Sequence, residues 1–130
     1  MVYTNNDIYL MSLSLIDERE LQGDTTDLEE RAPYLIASFC ALCRNLDKKL
    51  RERDSLDSQT SFSSVKLDLK KSFPLCETLV VPAATYLASM LIADENPSLS
   101  ESLYDKYCDA IAMLGAECSC SAISNVYFVD

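Results

Sequence analysis

Residues 75–113, LCETLVVPAATYLASMLIADENPSLSESLYDKYCDAIAM, constrain the fold more than any other stretch, because two helical apolar stripes flank one sharply punctuated turn. Leu75, Leu79, Pro82, Ala83, Tyr86, Leu87, Met90 and Leu91 recur at spacings of three and four, and so share one helical face. The turn is Ala93–Asp94–Glu95–Asn96–Pro97. Asn96 can cap the following helix with Pro97 at its first position, where a missing N–H leaves nothing unpaired. Alternatively Ser98 caps it and Glu101 closes a capping box. Leu99, Leu103, Tyr104, Tyr107, Cys108, Ile111 and Leu114 then form the stripe of the second helix. The pattern predicts an antiparallel helical hairpin.

Composition agrees with a helical reading. A chain of 130 residues suits a single domain, 1–130, with one sizeable core. Only two glycines are present, Gly23 and Gly115, too few for a sandwich built from tight turns. Net charge is −10, which argues against a protein that grips nucleic acid through its phosphates. The charge is uneven. Residues 44–71 hold eight of the 11 basic side chains (Arg44, Lys48, Lys49, Arg51, Arg53, Lys66, Lys70, Lys71) against five acids, a local +3. The remainder carries −13. A subunit polarised in this way can associate with copies of itself, although ordinary solvated faces explain the same pattern. No apolar run reaches the length of a membrane span, and the apolar segment 8–16 lacks the basic flank of a signal peptide. Folding in the cytosol, with no membrane partner, is the expectation.

Residues 5–16 predict a short helix capped by Asn5 or Asn6, with Ile8, Met11, Leu15 and Ile16 on one side. A polar loop containing Gly23 follows, and Thr26 with Glu29 suggests a capping box. A long helix then runs to about Arg53, burying Leu28, Ala32, Leu35, Ile36, Phe39, Leu42, Cys43, Leu46 and Leu50, with a kink or late start at Pro33. Residues 54–72 form a polar linker in which Val65, Leu67 and Leu69 alternate with Lys66, Asp68 and Lys70, the period of a half-exposed strand. Its candidate partner is the extended tail 119–130, where ISNVYFV (residues 123–129) follows Gly115 as a helix stop. That tail pairs either within the subunit or with a neighbour's edge.

Chemistry has few anchors. Cys40 and Cys43 form a CxxC, and Cys118 and Cys120 a CxC, on paper four thiolates for zinc. The first pair falls inside a helical apolar stripe, however, where buried free cysteine is the ordinary state, so neither a metal nor a cofactor is expected. Glu101, Asp105 and Asp109 stack at i, i+4 and i+8 on the polar side of the last helix. A solvated face explains them, and the basic 44–71 region of a neighbouring copy is the partner they would suit. With no histidine and no glycine-rich phosphate loop, no catalytic constellation forms, and an enzyme is not expected.

The order of features, and Pro74, Leu75, Pro82, Ala83, Tyr86, Leu87, Ala88, Asp94, Glu95, Asn96, Pro97, Tyr104, Asp105, Lys106 and Tyr107 within it, resembles the small head–tail connector (head-completion adaptor) proteins of tailed bacteriophages and prophages. The resemblance covers residues 26–115 in order of elements and is sharp over 73–114. It implies a homo-oligomeric ring in the virion neck, made in the host bacterial cytoplasm, contacting the portal and other neck or tail proteins. DNA would pass through it as cargo only, which suits an acidic subunit. The interface residues this suggests are Lys66, Lys70, Lys71, Glu101, Asp105, Asp109, Val126, Tyr127 and Phe128. The expectation is thus a mainly α domain, a long helix plus an antiparallel hairpin, with a minor β element. The alternatives are a non-catalytic interaction or regulatory module of a bacterial host and a thiolate metal protein.

Overall fold

The computed structural model describes residues 2–16 and 26–129, with side chains through Cys118. Five helices account for it: α1 (Asn5–Leu15), α2 (Thr26–Leu42), α3 (Arg44–Arg53), α4 (Val80–Ile92) and α5 (Pro97–Val129), with a 3-10 turn at Glu77–Leu79 leading into α4. α4 is the centre, packed by α5 on one side and by α1 and α2 on others, while α3 also touches α5. The mainly helical expectation and the hairpin both stand.

Local chemistry sets the helix starts. The cap of α1 is Thr4 rather than Asn5 or Asn6: its hydroxyl accepts from the Asp7 N–H at 3.1 Å, and Asp7 Oδ2 takes the Thr4 N–H at 2.8 Å. Asn5 is instead fully buried, with Ile8, Tyr9, Ser12, Leu13 and Ile16 on the same face, while Leu15 is exposed. Asn96 Oδ1 accepts from the Leu99 N–H at 3.1 Å, and Pro97 opens α5, as the turn predicts. Thr26, expected to cap the next helix in a box with Glu29, is the first residue of α2 itself, and the Gly23 loop lies outside the described residues.

The long helix to Arg53 is two helices. α2 continues through Pro33 and breaks instead at Cys43, whose backbone leaves helical geometry at φ −99° and ψ 11°. Leu42 faces water at that break and does not join the core. α3 ends in a Schellman turn: Leu56 N–H reaches Arg51 O at 2.8 Å and Ser55 N–H reaches Glu52 O at 3.4 Å, with Ser55 at φ 56°.

An aromatic cluster closes the core. Phe39 of α2 lies 5.7 Å from Tyr86 of α4, 5.9 Å from Tyr107 of α5 and 6.5 Å from Phe73. Tyr104 and Cys108, expected on the buried stripe of α5, are exposed; Leu103 and Tyr107 carry that contact.

The minor β element is not formed among the described residues. The one trace of it is an isolated antiparallel bridge between Thr4 and Ser72. The tail expected to be extended is helical to Val129, and α5 passes through Gly115 without stopping. Continuing an existing helix requires only propagation, and β propensity is a weak prior against it.

Candidate interaction surfaces

Between α3 and α4 the chain forms a strap, residues 55–76, without regular structure apart from that bridge. So long an irregular connection must be held by specific contacts. Leu67, Leu69 and Phe62 lodge partly against the core, while Val65 stays exposed. The alternation seen in sequence is therefore matched by burial at Leu67 and Leu69, but not at Val65 and not by strand pairing. The strap's backbone bonds go to helices: Leu67 N–H to Pro33 O at 3.0 Å, and Asn6 N–H to Leu69 O at 2.8 Å. Asn5 N–H joins Lys71 O at 2.9 Å, and Phe73 N–H joins Tyr3 O at 2.7 Å. The strap carbonyls thus satisfy N–H groups at the start of α1 that a helix cannot satisfy itself.

A buried carboxylate fastens both ends of the strap. Asp47 on α3 is fully buried. Its Oδ2 accepts from Arg51 Nε at 2.7 Å and Gln59 Nε2 at 2.8 Å, and its Oδ1 accepts from the Cys76 N–H at 2.7 Å. Arg51 also donates to Asp57 O and Pro74 O, both at 3.0 Å, and Gln59 to Arg44 O at 2.9 Å. Burial pushes the Asp47 acid up, but hydrogen bonds from Gln59, Cys76 and Arg51 outweigh it and hold the carboxyl below its ordinary range. Sequence reasoning did not single out Asp47. The available signal was its place on the α2–α3 stripe, between Cys43 and Leu50, with Arg51 four residues on.

This arrangement divides the basic region. Arg44 stacks over the Phe62 ring at 4.6 Å, Arg51 serves the latch, and Arg53 pairs with Asp54 at 2.9 Å and Glu117 at 3.3 Å. Lys66, Lys70 and Lys71 remain exposed on the strap, with the Lys66 ammonium 5.5 Å above the Tyr34 ring. Glu101, Asp105 and Asp109 are exposed on α5, on the side away from Leu103 and Tyr107, with Lys106 beside them. The two charge sets are not brought together within the chain; no ion pair among the described residues joins them. Val126, Tyr127 and Phe128 belong to helical backbone, and their side chains lie outside the described residues.

Two open clefts border the strap. One, of about 520 Å³, is lined by Arg51, Thr60, Ser61, Lys66, Lys71 and Asn5 among others. Asn5 Nδ2 donates to Asp68 O at 2.9 Å, while its buried Oδ1 has no partner among the described residues. The other, of about 670 Å³, lies over Glu29, Pro33, Lys66 and Lys70.

The thiols do not assemble into a metal site among the described residues; Cys120 falls beyond the described side chains. Cys40, Cys43 and Cys76 are buried, and Cys108 is exposed. Burial pushes the Cys43 and Cys76 thiols up to about 11, and Cys40 higher still, the reverse of what a reactive or metal-binding thiolate needs. No protein-family model matches the chain, and no curated protein or solved structure was found to match it. The reading of function therefore rests on the chain itself.

Proposed function

We propose that this protein is a structural, non-catalytic subunit of a phage or prophage neck, a head–tail connector that assembles with copies of itself between portal and tail. The observation that carries the reading is the separation of charge onto two exposed surfaces of different elements, strap and α5, which no ion pair among the described residues joins. That is what a subunit built for repeated contact with its own kind requires. The α4–α5 hairpin, with its Asn96–Pro97 turn, supports it as the element on which the connector resemblance is sharpest. The acidic net charge suits a conduit through which DNA slides without being held.

The test is binding to a tailed-phage portal protein encoded in the same genome. Co-purification of the two in a fixed ratio, seen by light scattering, is the expected result. A chain that ignores the portal, and that instead captures a host regulatory protein in defined stoichiometry, would replace this reading with the interaction-module alternative.

A further inference from the structure

We propose that the strap face of one copy docks onto the outer face of α5 in the next, head to tail, with Lys66, Lys70 and Lys71 meeting Glu101, Asp105 and Asp109. The proposal deepens the connector reading and rests on it for the identity of the partner as a second copy.

The two faces are complementary in charge, and both carry apolar groups. The carboxylates rise along α5 four residues apart, so the row spans about 12 Å at 1.5 Å per residue. On the strap, the Lys71 N–H turns back to Asp68 O at 3.1 Å, which draws Lys70 and Lys71 together at one end of the lysine set. Each face also exposes apolar bulk beside its charges: Tyr34 at 51% and Val65 at 69% on the strap side, Tyr104 at 42% on α5. The other members of the aromatic cluster, Phe39, Phe73, Tyr86 and Tyr107, are all buried, so Tyr104 is the one that cluster offers to a partner. Opposite charges are present on both faces, Glu29 and Asp68 beside the three lysines and Lys106 beside the three carboxylates, leaving the strap face at a net +1 and the α5 face at a net −2. Asp68 is engaged locally, its Oδ1 accepting the Lys70 N–H at 2.9 Å.

Because the faces belong to different elements, the contact is heterologous. Each docked copy keeps one face free, so assembly continues until a ring closes. Exposed ion pairs contribute little individually, so here the charges set orientation and register, and the apolar groups supply contact area. The Asp47 latch has a positioning role in this scheme, since it holds both ends of the segment that presents the lysines.

The experiment combines charge reversal with rescue. Two triple variants are made, Lys66→Glu/Lys70→Glu/Lys71→Glu and Glu101→Lys/Asp105→Lys/Asp109→Lys; all six positions are exposed, and circular dichroism checks that each variant folds. By light scattering at low salt, the wild-type mass is expected to rise with concentration, and each variant to weaken self-association by at least about tenfold. An equimolar mixture of the two is expected to restore the mass, since each then offers the other's missing sign. Zero-length carbodiimide coupling of an isotopically mixed wild-type sample should link strap lysines to α5 carboxylates between chains. Assembly unaffected by either variant, or an unrescued mixture, overturns the proposed docking and leaves the portal result standing. A wild-type chain that stays monomeric and yields no interchain link also overturns it. Retention of duplex DNA that requires the three lysines would assign them to phosphate instead, again overturning it.

Discussion

From Pro82 to Ser89 every residue of α4 is buried, and the polar ones among them bond locally: Thr85 Oγ1 to Val81 O at 2.9 Å and Ser89 Oγ to Tyr86 O at 2.7 Å. Along the strap the buried residues are Phe73, Leu75 and Cys76, all at its end. One element is held by apolar area, which is additive and forgiving of exact geometry. The other is tied down by discrete hydrogen bonds, and its two ends depend on one buried carboxylate whose loss leaves the Cys76 N–H without its acceptor and Arg51 without its charge partner. The two should therefore fail differently.

The largest effect expected is at the latch. Asp47→Ala should lower stability by about 3–5 kcal/mol in urea titration, because it removes the charge partner of Arg51, one acceptor of Gln59 and the acceptor of the Cys76 N–H. Its loss should also be visible locally. Cys76, its thiol pushed up to about 11 by burial, should resist alkylation in the wild type while exposed Cys108 reacts first. In Asp47→Ala, Cys76 labelling should speed up before Cys40 or Cys43 is reached. Simultaneous exposure of all three buried thiols would mean that strap and core unfold as one unit.

Acid offers the same comparison without mutation. A carboxyl whose folded pKa lies below its unfolded value of about 3.9 contributes stability that is present above that value and lost as pH falls through the folded one. Strap amides should then lose hydrogen-exchange protection below about pH 4, ahead of α4 amides. The pH dependence of Asp47→Asn should be shallower over that window. Identical profiles would remove Asp47 as the determinant.

For α4 the matching substitution is Leu87→Ala, at a fully buried position. It should cost about 2–5 kcal/mol, with strap amides no more affected than the rest. A loss under about 1 kcal/mol would show that α4 can collapse around the void and is less tightly packed than its burial implies. A smaller effect belongs to the hairpin turn: Asn96→Ala removes the cap of α5 and should cost about 1 kcal/mol.

The hairpin was legible because its information is periodic. Eight stripe positions from Leu75 to Leu91 are buried or half-buried, and the Asn96–Pro97 start of α5 follows from capping chemistry that operates within a few residues. The strap differs from the expected strand because period-two alternation, followed here by Leu67 and Leu69 but not by exposed Val65, reports which side faces the protein and not what the backbone is bonded to. Here its partners are Pro33 O and the first N–H groups of α1, far apart in sequence. Asp47 escaped notice because a carboxylate on an apolar stripe looks like an interruption; its buried partners lie up to 29 residues away. Charged docking residues could be named from composition, but which cations are already engaged required Arg44, Arg51 and Arg53 to be seen in place.

Glycine placement separates the two regions by the smallest margin. At Gly115, α5 is uninterrupted, and a Cβ added there meets nothing within 4 Å. Gly115→Ala should therefore stabilise by about 0.5–1 kcal/mol, through helix propensity and a less disordered unfolded chain. At the entrance to the strap the situation is inverted. Ser55 holds φ 56°, the left-handed conformation that a Schellman turn asks of its C′ residue and that glycine adopts without steric penalty. Ser55→Gly should relieve that conformation for a gain of the order of 0.5–1 kcal/mol, offset in part by glycine's greater freedom when unfolded. Thermal melts of both variants measure the pair. A destabilising Gly115→Ala would mean that α5 does not run straight through that position. A destabilising Ser55→Gly would show that the strap depends on its entry residue for more than backbone shape, and would extend the polar control of the strap from Asp47 to its first turn.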